Sequence, residues 1–377
     1  MSNQLLNSLQ LNGFLSFGLA SEAVGLTGLN VLIGPNGVGK SNFMEALELL
    51  HATPTDLPGA IRMGGRPSDW IWSGDSPART ATIHARLASH LNLRELNYRL
   101  GFAESGNRLE IVDEALEEAV NTDPEKDDVF FYYRYRNGLP VINVREFADG
   151  SAEAAKSFER KLQRESINPE QSVLKQKRDA EHYPELFQTA KRFEGIHIFR
   201  EWEFGRSATL RKPQPADLDS ESPQPKLENL ALIVNSLEHT DHWARFEETM
   251  SQFLPRFKRV STKVSGGAVQ IYLHEDGVSA PLPATRLSDG TLRFICLLAI
   301  LSRPDFASLL CIEEPELGLH PDAMSLLAKL LVEASTETQL IVTTHSDVLV
   351  SELTDHTESV LVCDYLENGT TGSCQHI

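Results

Sequence analysis

The chain has 377 residues, of which 41% are hydrophobic and 23% charged, enough for two lobes around a large buried core and ordinary for a globular protein in water. No run of about 18 apolar residues occurs, and Met1 to Leu11 lacks a basic segment followed by an apolar one, so we expect neither a membrane span nor a signal peptide. A formal net charge of −18 excludes a surface that is basic all over, so any nucleic-acid contact must use a local basic patch.

In chain order, Leu5 to Phe17 alternates apolar and polar residues and reads as strand. Leu29–Ile33 is a short apolar strand that ends in a glycine-rich turn. Lys40 to His51 reads as a helix with a broad apolar face, stopped by Pro54. Residues 81–144 hold four strand-like runs, 81–87, 96–102, 108–112 and 129–144, with turn residues at Ser105-Gly106-Asn107 and Asn137-Gly138. They predict an antiparallel sheet. Residues 151–194 are rich in Glu, Lys, Arg, Gln and Ala and predict short helices broken by Pro169 and Pro184. Residues 211–226 carry Pro213, Pro215, Pro223 and Pro225 and read as an exposed linker or loop. Beyond residue 227 strands and helices alternate: helices over 231–237 and 242–253, a strand pair 257–264 and 268–274, a helix over 291–301, a strand at 309–312, a helix over 321–334, a strand at 339–343 and a last one at 360–363. That alternation implies a mostly parallel sheet. The cysteines Cys296, Cys311, Cys363 and Cys374 form no CxxC pair, so neither a zinc site nor a redox motif is suggested. Cys296 and Cys311 lie in apolar runs and read as core residues. A cytoplasmic location is the default expectation.

Four short segments carry chemistry. Gly34-Pro35-Asn36-Gly37-Val38-Gly39-Lys40-Ser41 fits the P-loop pattern GxxxxGK[ST], with a strand before it and a helix after it. Glycines let backbone N–H groups turn inward around phosphate oxygens, and the helix N-terminus adds positive potential. Lys40 would reach the β- and γ-phosphates of ATP, the Ser41 hydroxyl would bind Mg²⁺, and Asn42 stands next on the helix as a further nucleotide-binding candidate. Leu309-Leu310-Cys311-Ile312-Glu313-Glu314-Pro315 has the form of a Walker B segment, a buried strand delivering carboxylates at its C-terminal end. Glu313 would hold Mg²⁺, and Glu314 would orient or deprotonate the attacking water. Arg286-Leu287-Ser288-Asp289-Gly290-Thr291 opens a helix. There Ser288 and Gly290 suit an anion, although Ser288 or Asp289 also serves as a plain helix cap. In Thr343-Thr344-His345-Ser346, His345 at a strand end is placed to hydrogen-bond a γ-phosphate or to serve structurally.

The order of these segments resembles that of the ABC-type head ATPases related to RecF, SMC and OLD-like proteins, especially small ATPases built from a head without long coiled coils. Leu287-Ser288-Asp289-Gly290-Thr291 looks like the ABC signature. Glu313 to Pro321 looks like Walker B with the D-loop, His345 like the switch histidine, and Asn12 to Phe17 like the first strand of the group. The resemblance covers roughly 1–100 and 227–377. It implies an α/β fold: an ABC-ATPase head (RecF/SMC-like P-loop NTPase) with an antiparallel β lobe and a short helical insertion. The expected division is an N-terminal ATPase lobe at 1–150, a helical insertion and linker at 151–226, and a C-terminal ATPase lobe at 227–377. Two departures stand out. No Gln occurs between Ser41 and Leu100 where the group often has its Q-loop glutamine, leaving Gly64-Gly65-Arg66 or Ser73 in that region, and His320 occupies the usual D-loop aspartate position.

The resemblance also implies ATP and Mg²⁺ as ligands and an ATP-dependent homodimer, in which the P-loop of one copy and the Ser288–Gly290 helix tip of the other grip one γ-phosphate. Its use is open between two readings. One is a nucleic-acid-associated ATPase in DNA repair, chromosome maintenance or defence against foreign DNA, helped by the basic run Lys156, Arg160, Lys161, Arg164, Lys175, Lys177, Arg178, Arg200, Arg206, Arg211 and Lys212. That run equally reads as a solvated helix face interleaved with glutamates. The other is an ATP-dependent switch that holds or releases a partner effector protein such as a nuclease or toxin, to which the acidic balance is suited. A membrane transporter subunit ranks third. Trp70, Trp72, Trp202 and Trp243 read as packing residues.

Overall fold

The structure, a computed structural model, describes residues 4–74, 78–90, 93–121, 128–136, 139–147, 155–162, 167–200, 202–365 and 371–376. The chain divides into two compact units that interleave in sequence, one made of Met1–Thr27, Gly34–Ile196 and Leu361–Ile377, the other of Gly28–Ile33 and His197–Val360.

The first unit is organised by an eight-stranded sheet in the spatial order Val24–Gly25, Leu6–Asn12, Ala81–Leu87, Leu96–Ser105, Arg108–Glu118, Phe131–Arg136, Leu139–Phe147, Ala155–Lys161. The neighbouring strands pair antiparallel throughout. Burial alternates where one face meets the core: Ala81, Ile83, Ala85 and Leu87 point inward and the residues between them do not. Gly106 and Asn107, both at positive φ, close the hairpin between Ser105 and Arg108, as a tight turn matched to strand twist requires. The Lys40–Ala52 helix packs Phe43, Met44, Leu47 and Leu50 out of solvent.

Three expectations change in this unit. The first strand stops at Asn12, because Gly13 turns at φ 62 and Phe14 bridges Phe17 instead of continuing the ladder. The run 129–144 is two strands about residues 137–138, which lie outside the described residues. Ala155–Lys161, in a stretch whose composition favours helix, is a strand paired from Phe147↔Ala155 to Val141↔Lys161. Ladder hydrogen bonds along an available sheet edge outweigh a propensity worth only tenths of a kcal/mol per residue. Helices appear only later in this stretch, at Val173–Gln176 and Pro184–Glu194.

The second unit is built on a sheet in the order Ile196–Phe199, Leu309–Glu313, Gln339–Thr344, Leu29–Ile33, of which the last three pair in parallel. Their burial is nearly continuous, as for strands covered on both faces. Helices Leu230–Leu237, Asp289–Leu301 and Met324–Ala334 supply much of the apolar core around them. A small antiparallel sheet, Gln214–Pro215, Ala268–Glu275 and Phe257–Ser265 with Leu282–Pro283 beside Ala268–Glu275, completes the unit. The register sets Glu313 opposite Thr343 and Thr344 opposite Ile33, so these strands end along one edge.

The segment read as an exposed linker is a structural part of this unit. Arg211 and Gln214 are buried, Gln214 Oε1 accepts the Ala231 N–H at 2.6 Å, and the Asn229 amide ties the carbonyls of Asp219 and Ser222 at 2.7 and 2.8 Å. Most of the segment is exposed, as its proline density suggests, and side-chain bonds at a few buried positions satisfy its irregular backbone. The helix expected over 321–334 begins as a 3₁₀ turn, Pro321–Ala323, before Met324–Ala334. Val360–Tyr365 gains an unforeseen antiparallel partner, Thr371–His376, with Cys363 and Cys374 opposite one another and joined as a disulfide, whereas Cys296 and Cys311 are buried thiols outside any disulfide. Among the described residues no helix is long and apolar enough to cross a membrane.

One carboxyl group of the first unit is fully enclosed. Glu114 accepts hydrogen bonds from Tyr98 OH at 2.7 Å, Ser172 Oγ at 2.5 Å and Val173 N–H at 2.8 Å, yet burial still raises its pKa from 4.5 to about 6. A raised acid pKa means that the fold favours the protonated form. The associated stability is present below pH 4.5 and is lost as pH rises through 6. Relative to Glu114→Gln, which does not titrate there, the wild type is expected to gain about 2 kcal/mol between pH 7 and pH 4.5, read by urea denaturation of both proteins across that range.

Candidate functional site

In the first unit the loop 34–39 leads into the Lys40–Ala52 helix, with Gly39 at its N-cap at φ 104. Pro35, Asn36 and Gly37 are exposed, Val38 is wholly buried as the anchor of the loop, and Ser41 is exposed at the helix start. Lys40 is buried along its stem, and its Nζ donates to the carbonyls of Gly34 at 2.7 Å and Pro35 at 3.1 Å. The ammonium is therefore held inside the turn formed by the loop. A buried cation at a helix N-terminus, ringed by backbone, suits a polyphosphate.

The loop rests on two segments that sequence reasoning did not assign to the site. Tyr365 OH donates to the Asn36 carbonyl at 2.8 Å, and Thr371 Oγ1 lies 2.6 Å from Ser16 Oγ, which accepts the Asn42 amide at 2.7 Å. A Cβ on Gly34 would strike the Cys363 carbonyl, and one on Gly39 would strike the Thr371 and Ser16 hydroxyls. Glycine at those two positions is thus required by neighbours as well as by the turn. Ser16 lay within a recognisable motif, but nothing in the sequence pointed to Tyr365 or Thr371. Asn42 is placed by Ser16 and helps to seat the helix start.

In the second unit the carboxylates stand at the ends of the parallel strands. Glu313 Oε2 pairs with Arg200 Nε at 3.1 Å. Glu314 has left-handed backbone, φ 46, and its N–H donates to Thr343 O at 2.9 Å while its carbonyl accepts from Arg293 Nη1 at 3.1 Å. His345 Nε2 lies 3.3 Å from Glu314 Oε1, so the structure brings these two predicted residues together. Glu316, which sequence reasoning left without a role, holds this corner. Its Oε1 accepts from Thr344 Oγ1 at 2.6 Å and from the His345 N–H at 3.0 Å.

Ser288 caps the Asp289–Leu301 helix, accepting the Thr291 N–H at 3.1 Å, and is itself exposed. Arg211, nearly inaccessible to solvent, fixes the approach to that cap by donating to the carbonyls of Phe204, Ala284 and Leu287 and to the Asp289 carboxylate. Gly290 is packed so closely on the D-loop-like turn that a Cβ would meet Gly318 O at 2.8 Å. Both reasons for these residues, capping and close packing, operate without a ligand. His320 is exposed, with Nδ1 accepting the Asp322 N–H at 3.3 Å. In the first unit's region lacking a Q-loop glutamine, the Asp69 carboxylate caps the Arg66 N–H at 2.8 Å, Trp70 is buried with Nε1 donating to Ile61 O at 3.0 Å, and Ser73 is exposed.

The Ser41 hydroxyl in the first unit and the Glu313 carboxylate in the second are each, taken separately, oxygen donors of the kind Mg²⁺ takes. Those donors fit a hard cation that keeps several waters and binds mainly through phosphates. Among the described residues no group of three or more His, Cys, Asp or Glu is placed to hold a metal by itself.

A family model described as "AAA domain, putative AbiEii toxin, Type IV TA system" matches residues 29–351. No curated protein matches the chain. Among solved structures, an Smc head bound to the C-winged helix domain of ScpA superposes with a TM-score of 0.60 at 16% identity, over 98% of this chain and 97% of that one. An Smc head domain with an extended coiled coil, bound to the C-terminal domain of ScpA and derived from Pyrococcus furiosus, gives 0.57 at 14% identity over 98% and 95%. One from Pyrococcus yayanosii, with a coiled coil and joint, gives 0.52 at 13% over 98% and 96%. At such identities the likeness establishes the fold alone, that of an Smc head domain.

The hydroxyl pair beneath Gly39 makes a direct test. Gly39→Ala puts a methyl against Thr371 and Ser16 at a φ that L residues avoid. It is expected to cost about 1–3 kcal/mol of stability and to abolish nucleotide binding, read by urea denaturation and by titration with a fluorescent ATP analogue.

Proposed function

Because the chain belongs to this AAA-domain family, we propose that it hydrolyses ATP to ADP and phosphate and that ATP draws two copies into a dimer. The observation that carries the reading is the common edge at which the parallel strands end. Leu29–Ile33 runs into the P-loop there, Leu309–Glu313 delivers Glu313 and Glu314, and Gln339–Thr344 delivers His345. In open α/β sheets ligands are taken at the carboxyl ends of the strands.

On this reading the backbone N–H groups of 34–39 and the Lys40 ammonium hold the phosphates, with Asn42 supporting the loop. Ser41 and Glu313 hold Mg²⁺, which when bound would neutralise phosphate charge. Glu314 orients the attacking water and accepts its proton as the water oxygen bonds to the γ-phosphorus and the β–γ bridge breaks toward ADP. His345, next to Glu314, donates to the γ-phosphate. Ser288 and Gly290 of the second copy contact that same γ-phosphate, so ATP is part of the interface and its hydrolysis releases the two copies.

For the use of this cycle we favour a switch acting on a partner effector protein, a nuclease or toxin. Support comes from the family's description, which names a putative toxin of a type IV toxin–antitoxin system, and from three arginines of the basic run that are engaged within the protein. Arg178 pairs with Glu194 at 2.5 Å, Arg200 with Glu313, and Arg211 is buried on carbonyls. Lys161, Arg206 and Lys212 are exposed, and the side chains of Lys156, Arg160 and Arg164 lie outside the described residues. The nucleic-acid reading, in repair, chromosome maintenance or defence against foreign DNA, requires a duplex-DNA mobility shift at low salt that weakens as salt rises.

Glu314→Gln is expected to bind ATP normally, to lower turnover about 100-fold or more, and to accumulate as dimer on size exclusion with ATP and Mg²⁺. Turnover at the wild-type rate in that variant rejects the assignment. Ser288→Arg is expected to stay monomeric under the same conditions while retaining nucleotide, and a dimer there rejects the two-copy site.

A further inference from the structure

We propose that Arg293 is the positioning residue that holds Glu314 in its left-handed backbone, and that Trp202 and Phe204 exist at this corner to clamp its guanidinium. The inference rests on the reading of Glu314 as the hydrolytic base. A non-glycine residue at φ 46 stores strain, of order 1–3 kcal/mol, and keeps that conformation only where neighbours over-determine it. Two backbone bonds do so here. The Glu314 N–H is committed to Thr343 O at 2.9 Å, on the adjacent strand, and the Glu314 carbonyl to Arg293 Nη1 at 3.1 Å. The first bond belongs to the sheet. The second comes from a charged side chain on a different element, the Asp289–Leu301 helix.

Arg293 is only 9% exposed. Its guanidinium carbon sits 4.8 Å from the Phe204 ring centroid and 5.3 Å from that of Trp202, rings that are themselves stacked at 27°. A planar cation against aromatic faces is oriented as well as stabilised, which a lysine ammonium would not be. The buried Trp202 Nε1 has no hydrogen-bond partner, so the indole is not held there by its N–H, and its face is what the site uses. Arg200, two residues before Trp202, pairs with Glu313, so this one segment after the Ile196–Phe199 strand reaches both acids of the strand end. The Glu314 carboxylate depends on the same backbone: a rotation about φ at residue 314 would carry Oε1 away from His345 Nε2, 3.3 Å distant. A misplacement of about 1 Å can cost about 100-fold in rate.

The test uses the full chain and separates kcat from ATP affinity. Arg293→Gln is expected to lower kcat about 100-fold while the Kd for a fluorescent ATP analogue changes by less than about twofold, and Arg293→Lys to recover part of the loss. In a Glu314→Gln background, Arg293→Gln is expected to add no further loss, because the carboxylate it positions is already gone. Trp202→Leu, which removes one face of the clamp, gives a smaller fall in kcat with the same unchanged Kd, and it serves if Arg293→Gln does not fold. Wild-type kcat in the Arg293 and Trp202 variants overturns the inference, as does an equal loss in both backgrounds or a parallel loss of Kd. Absence of turnover in the wild type, or full turnover in Glu314→Gln, instead overturns the functional reading on which it rests.

Discussion

The arrangement depends on one constraint, the parallel pairing of Leu309–Glu313, Gln339–Thr344 and Leu29–Ile33. Strands buried on both faces have one register that keeps every backbone group paired, and here that register aligns Glu313 with Thr343 and Thr344 with Ile33. The consequence is chemical. The carboxylates emerge where the strands stop, so Glu313, Glu314, His345 and the residue before the glycine loop, Ile33, stand along one edge. A slip of one residue would bury Glu313 in place of Ile312, at a cost of several kcal/mol for an unpaired charge.

Around that edge the structure spends its buried polar groups on geometry. Glu316 takes the Thr344 hydroxyl and the His345 N–H, Arg211 gathers three carbonyls and the Asp289 carboxylate ahead of the Ser288 cap, and Arg293 holds the Glu314 carbonyl. Each is a charged side chain largely withdrawn from water whose donors or acceptors are used on backbone, a use that fixes loop conformation more than it adds stability. In the first unit the same task falls to hydroxyls. Tyr365, Thr371 and Ser16 support the glycine loop from two distant parts of the sequence, and the disulfide-linked strand pair carrying Tyr365 and Thr371 keeps them in register.

The basic residues show how the same side chains change meaning once placed. In the sequence, Arg200 and Arg211 belong to a run that suits a phosphate backbone. In the fold, one pairs with the Glu313 carboxylate and the other is nearly inaccessible to solvent. Trp202 likewise reads as packing, and it does pack, but against a guanidinium.

By itself the sequence determined what depends on contiguous residues. The GxxxxGK[ST] loop between strand and helix, the apolar strand running into Glu313-Glu314, the Ser288 cap and the alternation of strands and helices are all readable because local spacing and period dictate them. Only the tertiary structure decided what depends on distant partners. The edge strand Ala155–Lys161 exists because Leu139–Phe147 offers it a ladder, against its own propensity. The proline-rich stretch, largely exposed, is pinned to the unit because the buried Gln214 bonds the Ala231 N–H and Asn229 ties the carbonyls of Asp219 and Ser222. The supports of the site, Ser16, Tyr365 and Thr371 for the loop and Glu316 and Arg293 for the acids, act across as many as 355 positions of sequence. No local pattern encodes such a contact, because it is set by where the packed sheets bring the chain back.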